Sequence, residues 1–137
     1  MIGIETKRLF FRQWKNSDYP IVAEFYSVED NARCVGGVKT PEESCRSMAR
    51  YIGHYELNGF SYMAIIEKKS GNLVGTIGLW QSQPWPEPEL GYWLLPSSQG
   101  KGYGVEDGLA VMDFALTRLK FDSLVSYIHP SNDLQKN

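Results

Sequence analysis

Cysteine and histidine are scarce, two of each in 137 residues. Cys34 and Cys45 form neither a CxxC nor a metal-ligand pattern, and His54 and His129 stand alone, so no zinc or iron site is expected. Long apolar runs are missing too: no stretch approaches the ~20 residues that cross a bilayer. The opening Met1-Ile2-Gly3-Ile4-Glu5 runs straight into a strand-like segment with no charged and apolar leader, so the chain reads as cytoplasmic, with no membrane partner. Basic runs do not exceed pairs such as Lys7-Arg8 and Lys68-Lys69, and the formal net charge is -2, which argues against nucleic acid as a main ligand. There is no internal repeat and no low-complexity tract. The length suits one domain over residues 1–137 with one core. Aromatic residues, by contrast, are plentiful at 13%.

The segment Arg8 to Trp14 is short and aromatic and reads as a first strand. Asn16-Ser17-Asp18 then supplies helix N-cap residues, with Ile21, Val22 and Phe25 as the apolar face of a short helix. Ser27 to Lys39 reads as a loop around Gly36-Gly37. A second helix has Thr40 as cap, Pro41 in the first turn and Glu43 closing a capping box, and Asn58-Gly59 ends it. Its apolar face is expected to be Cys45, Met48, Ala49, Ile52 and Tyr55. Ser61 to Glu67 and Leu73 to Gln81 form a hairpin across Lys69-Ser70-Gly71-Asn72. Prolines 84, 86 and 88 break the chain around Trp85, and Glu89 to Leu95 is another strand. A glycine-rich turn, Gln99 to Gly104, leads to a long helix with Val105, Leu109, Met112, Leu116 and Leu119 on its apolar face. Ser123 to Ile128 is a last strand, ended by Pro130. The strand, glycine turn, helix, strand unit predicts a right-handed parallel crossover, and the hairpin makes the rest antiparallel. The expected class is α/β, a mixed and mostly antiparallel sheet flanked by helices.

Gln99-Gly100-Lys101-Gly102-Tyr103-Gly104 is the most informative segment. Alternating glycines between a strand and a helix let successive N–H groups converge, and the helix dipole adds positive potential, a cradle for phosphate or pyrophosphate. A P-loop is excluded, because no Lys-Ser or Lys-Thr follows. The dinucleotide GxGxxG pattern fails at Val105 counted from Gly100 and at Asp107 counted from Gly102. On the glycines alone, a turn that merely joins strand to helix remains an equal alternative.

Gln99-x-x-Gly102-x-Gly104 resembles the Q/R-x-x-G-x-G/A signature of GNAT acetyltransferases. Thr6-Lys7-Arg8-Leu9 with Arg12, Glu89-Leu90-Gly91-Tyr92-Trp93 with Pro96, and Tyr127-Ile128-His129-Pro130-Ser131-Asn132 are similar, in order, to segments of the subgroup of ribosomal-protein N-acetyltransferases (RimJ/RimL-like). The resemblance implies an acyl-CoA N-acyltransferase fold and acetyl-CoA as co-substrate, without a metal. It further implies that the pantetheine arm pairs with Tyr92, Trp93 and Leu94, that the pyrophosphate sits on the amides of Gly100, Lys101, Gly102, Tyr103 and Gly104 behind Gln99, and that Asn132 contacts the cofactor. Pantetheine carries amides, so β-augmentation of an open strand edge suits it.

Acetyl transfer to an amine needs a neutral nucleophile, a polarised thioester carbonyl and a proton for the thiolate. A strand amide near Leu94 can supply the second. For the first, Glu89 is the expected general base, since strand alternation puts it on one face with Gly91 and Trp93. Its alternative reading is a structural carboxylate. Glu106 is a lesser candidate, already accounted for by the helix dipole. Tyr127 and His129 end the last strand, and Trp80 and Trp85 are candidate lining for an acceptor pocket; packing is the default reading for each.

The resemblance is incomplete at one end. Family members continue past the Asn132 position through a further helix and two strands, often with a Tyr that protonates the thiolate, whereas the sequence stops at Asn137. The expectation is a shortened fold lacking that helix and those strands, with an open edge at Ser123 to Ile128 that favours homo-oligomers. Two functions stay open: N-acetylation of a primary amine on a protein N-terminus or small molecule, and an acyl-CoA-binding or regulatory module with weak or no catalysis.

Overall fold

The structure is a computed structural model and describes residues 1–82 and 87–121. Four strands, β1 (Leu9–Arg12), β2 (Tyr62–Glu67), β3 (Leu73–Trp80) and β4 (Glu89–Leu94), form an antiparallel sheet in the order β1-β2-β3-β4. Helices α1 (Tyr19–Ser27), α2 (Glu29–Ala32) and α3 (Pro41–Asn58) precede the β2–β3 hairpin, and α4 (Tyr103–Thr117) follows β4. The strand expected over Ser123 to Ile128, and with it the parallel crossover, lies outside the described residues.

Strand alternation divides the core. One face carries Ala64, Ile66 and Trp93, which pack with Trp14, Val22, Phe25 and Met48 under α1 and α3. The other carries Leu9, Phe11, Met63, Ile65, Ile77 and Leu94, which pack with Val111 and Ala115 of α4. The pairs Thr76↔Trp93, Gly78↔Gly91 and Trp80↔Glu89 set the register of β3 against β4. At Gly75, a Cβ would stand 2.2 Å from the Trp93 carbonyl oxygen, so only glycine lets the two backbones approach this closely.

Helix α3 begins and ends where expected. Thr40 accepts from the Glu43 amide at 3.1 Å, Glu43 accepts from the Thr40 amide at 2.9 Å, and Gly59 closes the helix at φ 80. Its buried face is rotated from the expected one: Ser44, Ser47, Met48 and His54 point inward while Cys45 and Ala49 are exposed. In α1, Ile21 is exposed and Tyr26 joins Val22 and Phe25 inside. The segment Ser27 to Lys39 is not all loop, because α2 forms within it, with Glu29 and Asp30 at the positive end of its dipole.

The largest departure is in α4. Val105, Leu109, Met112 and Leu116 are exposed, while Tyr103, Gly104, Asp107, Val111 and Ala115 face the sheet. Close approach selects this face. A Cβ on Gly104 would stand 3.1 Å from the Tyr92 ring, so small residues turn inward where the helix crosses β4 and the larger apolar ones are left outside.

Candidate functional site

The backbone of β4 presents two different sides. Leu95 donates to Val74 at 2.9 Å, so the hydrogen-bonded alternation with β3 runs through Leu95, Trp93, Gly91 and Glu89. The same alternation turns the N–H and C=O groups of Tyr92 and Leu94 away from β3. Of the three residues expected to line a cofactor arm, Tyr92 and Leu94 thus direct main-chain groups to the outer edge, whereas those of Trp93 face β3. Trp93 instead buries its ring, stacked on Phe25 with centroids 4.0 Å apart.

Past β4 the chain makes a short 3-10 turn over Pro96–Ser98, and the Gln99 side chain donates back to the Leu94 carbonyl at 3.2 Å. Gly100 and Gly102 follow at φ 76 and 79. Gly102 caps α4 in this left-handed conformation, which a side chain would strain. Among the described residues, no atom outside its chain neighbours comes within 4 Å of the Cβ position of Gly100, and Lys101 is exposed beside it. Gln99 to Gly102 therefore lead from the outer edge of β4 to the start of α4, where Tyr103 and Gly104 turn inward. Asn132 lies outside the described residues, as do Tyr127, His129 and Trp85.

The turn is tied to the opposite side of the sheet. Glu106 accepts from the Thr6 hydroxyl, from the Arg8 amide at 3.0 Å and from Arg8 Nε at 2.6 Å. Burial pulls this carboxyl upward, but the bonds from Thr6 and Arg8 together hold it below the usual range. A carboxylate so occupied is a poor proton acceptor, which removes Glu106 as a base. The Arg8 guanidinium lies 4.4 Å from the Tyr103 ring centroid, and the Tyr103 hydroxyl donates to Glu67.

On the α1–α3 face of β4 is a cavity of about 270 Å³ whose lining includes Tyr26, Tyr51, Tyr62, Glu89, Gly91 and Trp93. Glu89, half-buried, has its pKa raised by desolvation. As expected it shares this face with Gly91 and Trp93. Tyr62, which lines the same cavity, is raised first by burial and then by the Glu89 charge. The Tyr26 and Tyr51 hydroxyls are 3.2 Å apart. Trp80 does not line the cavity; it backs the Tyr62 ring at 5.9 Å and stacks on His54 at 4.0 Å. His54 accepts from the Gln81 amide at Nε2 and so donates from Nδ1 to the Phe60 carbonyl at 2.8 Å, a packing role.

Sequence reasoning does not single out Tyr26, Tyr51 or Tyr62 of this cavity, nor one buried acid. Asp107 is wholly buried in α4 with no side-chain partner for its carboxylate oxygens among the described residues, and its pKa is pushed up to about 8, chiefly by desolvation. Tyr92, close to it, is raised to about 12 by burial and then by the Asp107 charge. The position of Asp107 one turn past Tyr103 was the available signal, masked by the assumption that the outer apolar row of α4 faced the core. Among the described residues no group of three or more metal-ligating side chains forms, and no helix is long and apolar enough to cross a membrane.

Comparison with known proteins bears on what this arrangement is for. Residues 8–136 match the family model described as Acetyltransferase (GNAT) domain. An uncharacterized N-acetyltransferase, p20, from Bacillus licheniformis is 25% identical over 96% of this chain and 76% of its own. The crystal structure of an acetyltransferase from Agrobacterium tumefaciens superimposes with a TM-score of 0.86 at 28% identity, covering 94% of this chain and 75% of that one. RimL, a ribosomal L7/L12 alpha-N-protein acetyltransferase, shares the fold with a TM-score of 0.77 at 18% identity, over 98% of this chain and 75% of its own. Carrying this fold and matching the family almost from end to end, the chain belongs to the GNAT acetyltransferases.

Proposed function

We propose that the chain transfers the acetyl group of acetyl-CoA to a primary amine, with Glu89 as the general base. The observation that carries this reading is the placement of a half-buried carboxyl, raised by desolvation, in a cavity on the inner face of the strand whose outer edge leads to the glycine turn. The family uses acetyl-CoA. Toward it, Tyr92 and Leu94 offer main-chain groups for the pantetheine arm, with the Trp93 ring packed behind them. Gln99 holds the end of β4, and the amides of Gly100, Lys101, Gly102, Tyr103 and Gly104 receive the pyrophosphate at the positive end of α4. Asn132 remains the proposed further contact.

The chemistry follows from these positions. Glu89 takes a proton from the bound ammonium, directly or through water, and a raised pKa brings it nearer to that task. The amine nitrogen attacks the thioester carbon while the Leu94 N–H faces the developing oxyanion. The C–S bond then breaks, the amide forms and the thiolate takes up a proton. Acetyl-CoA should raise the melting temperature at concentrations well above its Kd. With amines added, thiol release should follow, and Glu89→Gln should abolish most of it while leaving the melting shift intact. Loss of the melting shift in the unmodified chain would refute the cofactor assignment.

A further inference from the structure

Resting on that reading, we infer that the acceptor is a small primary monoamine with an apolar or aromatic body. Among its described lining residues the cavity beside Glu89 carries one carboxylate and no lysine, arginine or histidine. Its walls are aromatic, and their hydroxyls are neutral. Burial raises the phenols of Tyr26, Tyr51 and Tyr62, so each presents a ring and an uncharged O–H to whatever enters. Lys39, with Nζ 5.2 Å from the Tyr26 ring centroid, stands outside the lining.

The shape follows from a row of glycines. Tyr62 on β2 is paired with Gly78 on β3, and Gly78 with Gly91 on β4. With no side chain on either neighbour, the Tyr62 ring reaches across two strands, and its hydroxyl comes within 2.8 Å of where a Gly91 Cβ would stand. Tyr51 meets the same ring edge-on with centroids 5.4 Å apart and closes the adjacent wall. A cavity of about 270 Å³ lies at the low end of ligand sites, roughly 300–1,000 Å³, which suits a small amine.

Charge selects further. One ammonium is matched by Glu89 and by the faces of the tyrosine rings. A polyamine would bring a second ammonium to a site whose described lining holds no second carboxylate to receive it. An amine carried on a nucleoside diphosphate would bring phosphates to described walls without a cation.

The test uses the full chain with acetyl-CoA and follows thiol release with 2-phenylethylamine, spermidine, a UDP-linked amino sugar and an alanyl peptide. The phenylethylamine kcat/KM should lead the others by at least about tenfold. A lead by any of the other three overturns the inference. Gly91→Val puts a Cβ 2.8 Å from the Tyr62 hydroxyl and displaces that ring, and should raise the KM for phenylethylamine more than that for methylamine, with the acetyl-CoA melting shift retained. Equal rises overturn the inference as well. Equilibrium binding of the same amines, read by tryptophan fluorescence, ranks them independently of turnover, and tighter binding of spermidine than of phenylethylamine overturns it. A retained acetyl-CoA shift with a wrong acceptor order brings down this inference alone, whereas loss of that shift brings down the proposed function beneath it.

Discussion

Replacing Asp107 by Asn tests the electrostatics of the α4–sheet interface directly. The carboxyl is wholly buried with no side-chain partner among the described residues, and burial pushes its pKa up to about 8 in the folded chain against 3.8 for a free aspartate. The folded state therefore keeps a proton that the unfolded chain releases above its own pKa. The stability linked to this group is fully present below pH ~4, declines as pH rises, and stops declining above pH ~8. Each pH unit in that window is worth about 1.4 kcal/mol, so the span from pH 5 to pH 7 amounts to roughly 3 kcal/mol. That is a large share of a domain stability of roughly 5–15 kcal/mol. Asn keeps the size and polarity of the side chain but cannot ionise. Urea unfolding of both proteins at pH 5, 7 and 9 isolates the term, because every other titrating group is shared. The unmodified chain should lose stability relative to Asp107→Asn from pH 5 to pH 7, with less further loss to pH 9. A difference between the two that does not vary with pH would refute the argument.

Glu89→Gln should lower kcat by roughly 10²–10⁴ with the acetyl-CoA Kd nearly unchanged, measured by steady-state kinetics and calorimetry. Gly75→Ala puts a Cβ 2.2 Å from the Trp93 carbonyl oxygen, and should cost about 3 kcal/mol or more by chemical denaturation. Thr40→Ala opens the capping box of α3 and should cost about 1 kcal/mol in the same assay. Gly102→Ala, at φ 79, should cost about 1–2 kcal/mol of stability and weaken acetyl-CoA binding, with the melting shift as the readout.

The local punctuation of this fold was legible in the sequence. Thr40, Pro41, Glu43 and Gly59 mark the ends of α3 through backbone chemistry that neighbours cannot override. Lys69 to Asn72 mark the hairpin for the same reason, and the glycines at 100 and 102 take the left-handed φ values that a sharp turn before a helix requires. The inward faces of α3 and α4 were not legible. Hydrophobic spacing assumes that the largest apolar residues turn inward. Here Ser44, Ser47, Gly104 and Ala115 do so, because close helix–sheet approach favours small residues and leaves Val105, Leu109, Met112 and Leu116 outside. Within the site, Glu89 could be found by alternation along one strand. Tyr62 could not, because its place over Gly91 depends on pairings across three strands, with a register shift between Ile65 and Ile66.

The clasp of Thr6 and Arg8 on Glu106 joins residues 98 or more apart in the chain. Such a closure pays its loop entropy late, after the β2–β3 hairpin and the helices have had time to form. Contacts made after the rate-limiting step govern how fast a protein comes apart and not how fast it assembles. Cutting the clasp with Glu106→Gln should accordingly steepen the unfolding rate while refolding proceeds almost as before. The lifetime of the helix start that follows the glycines is thus set from the first strand, at the far edge of the described sheet.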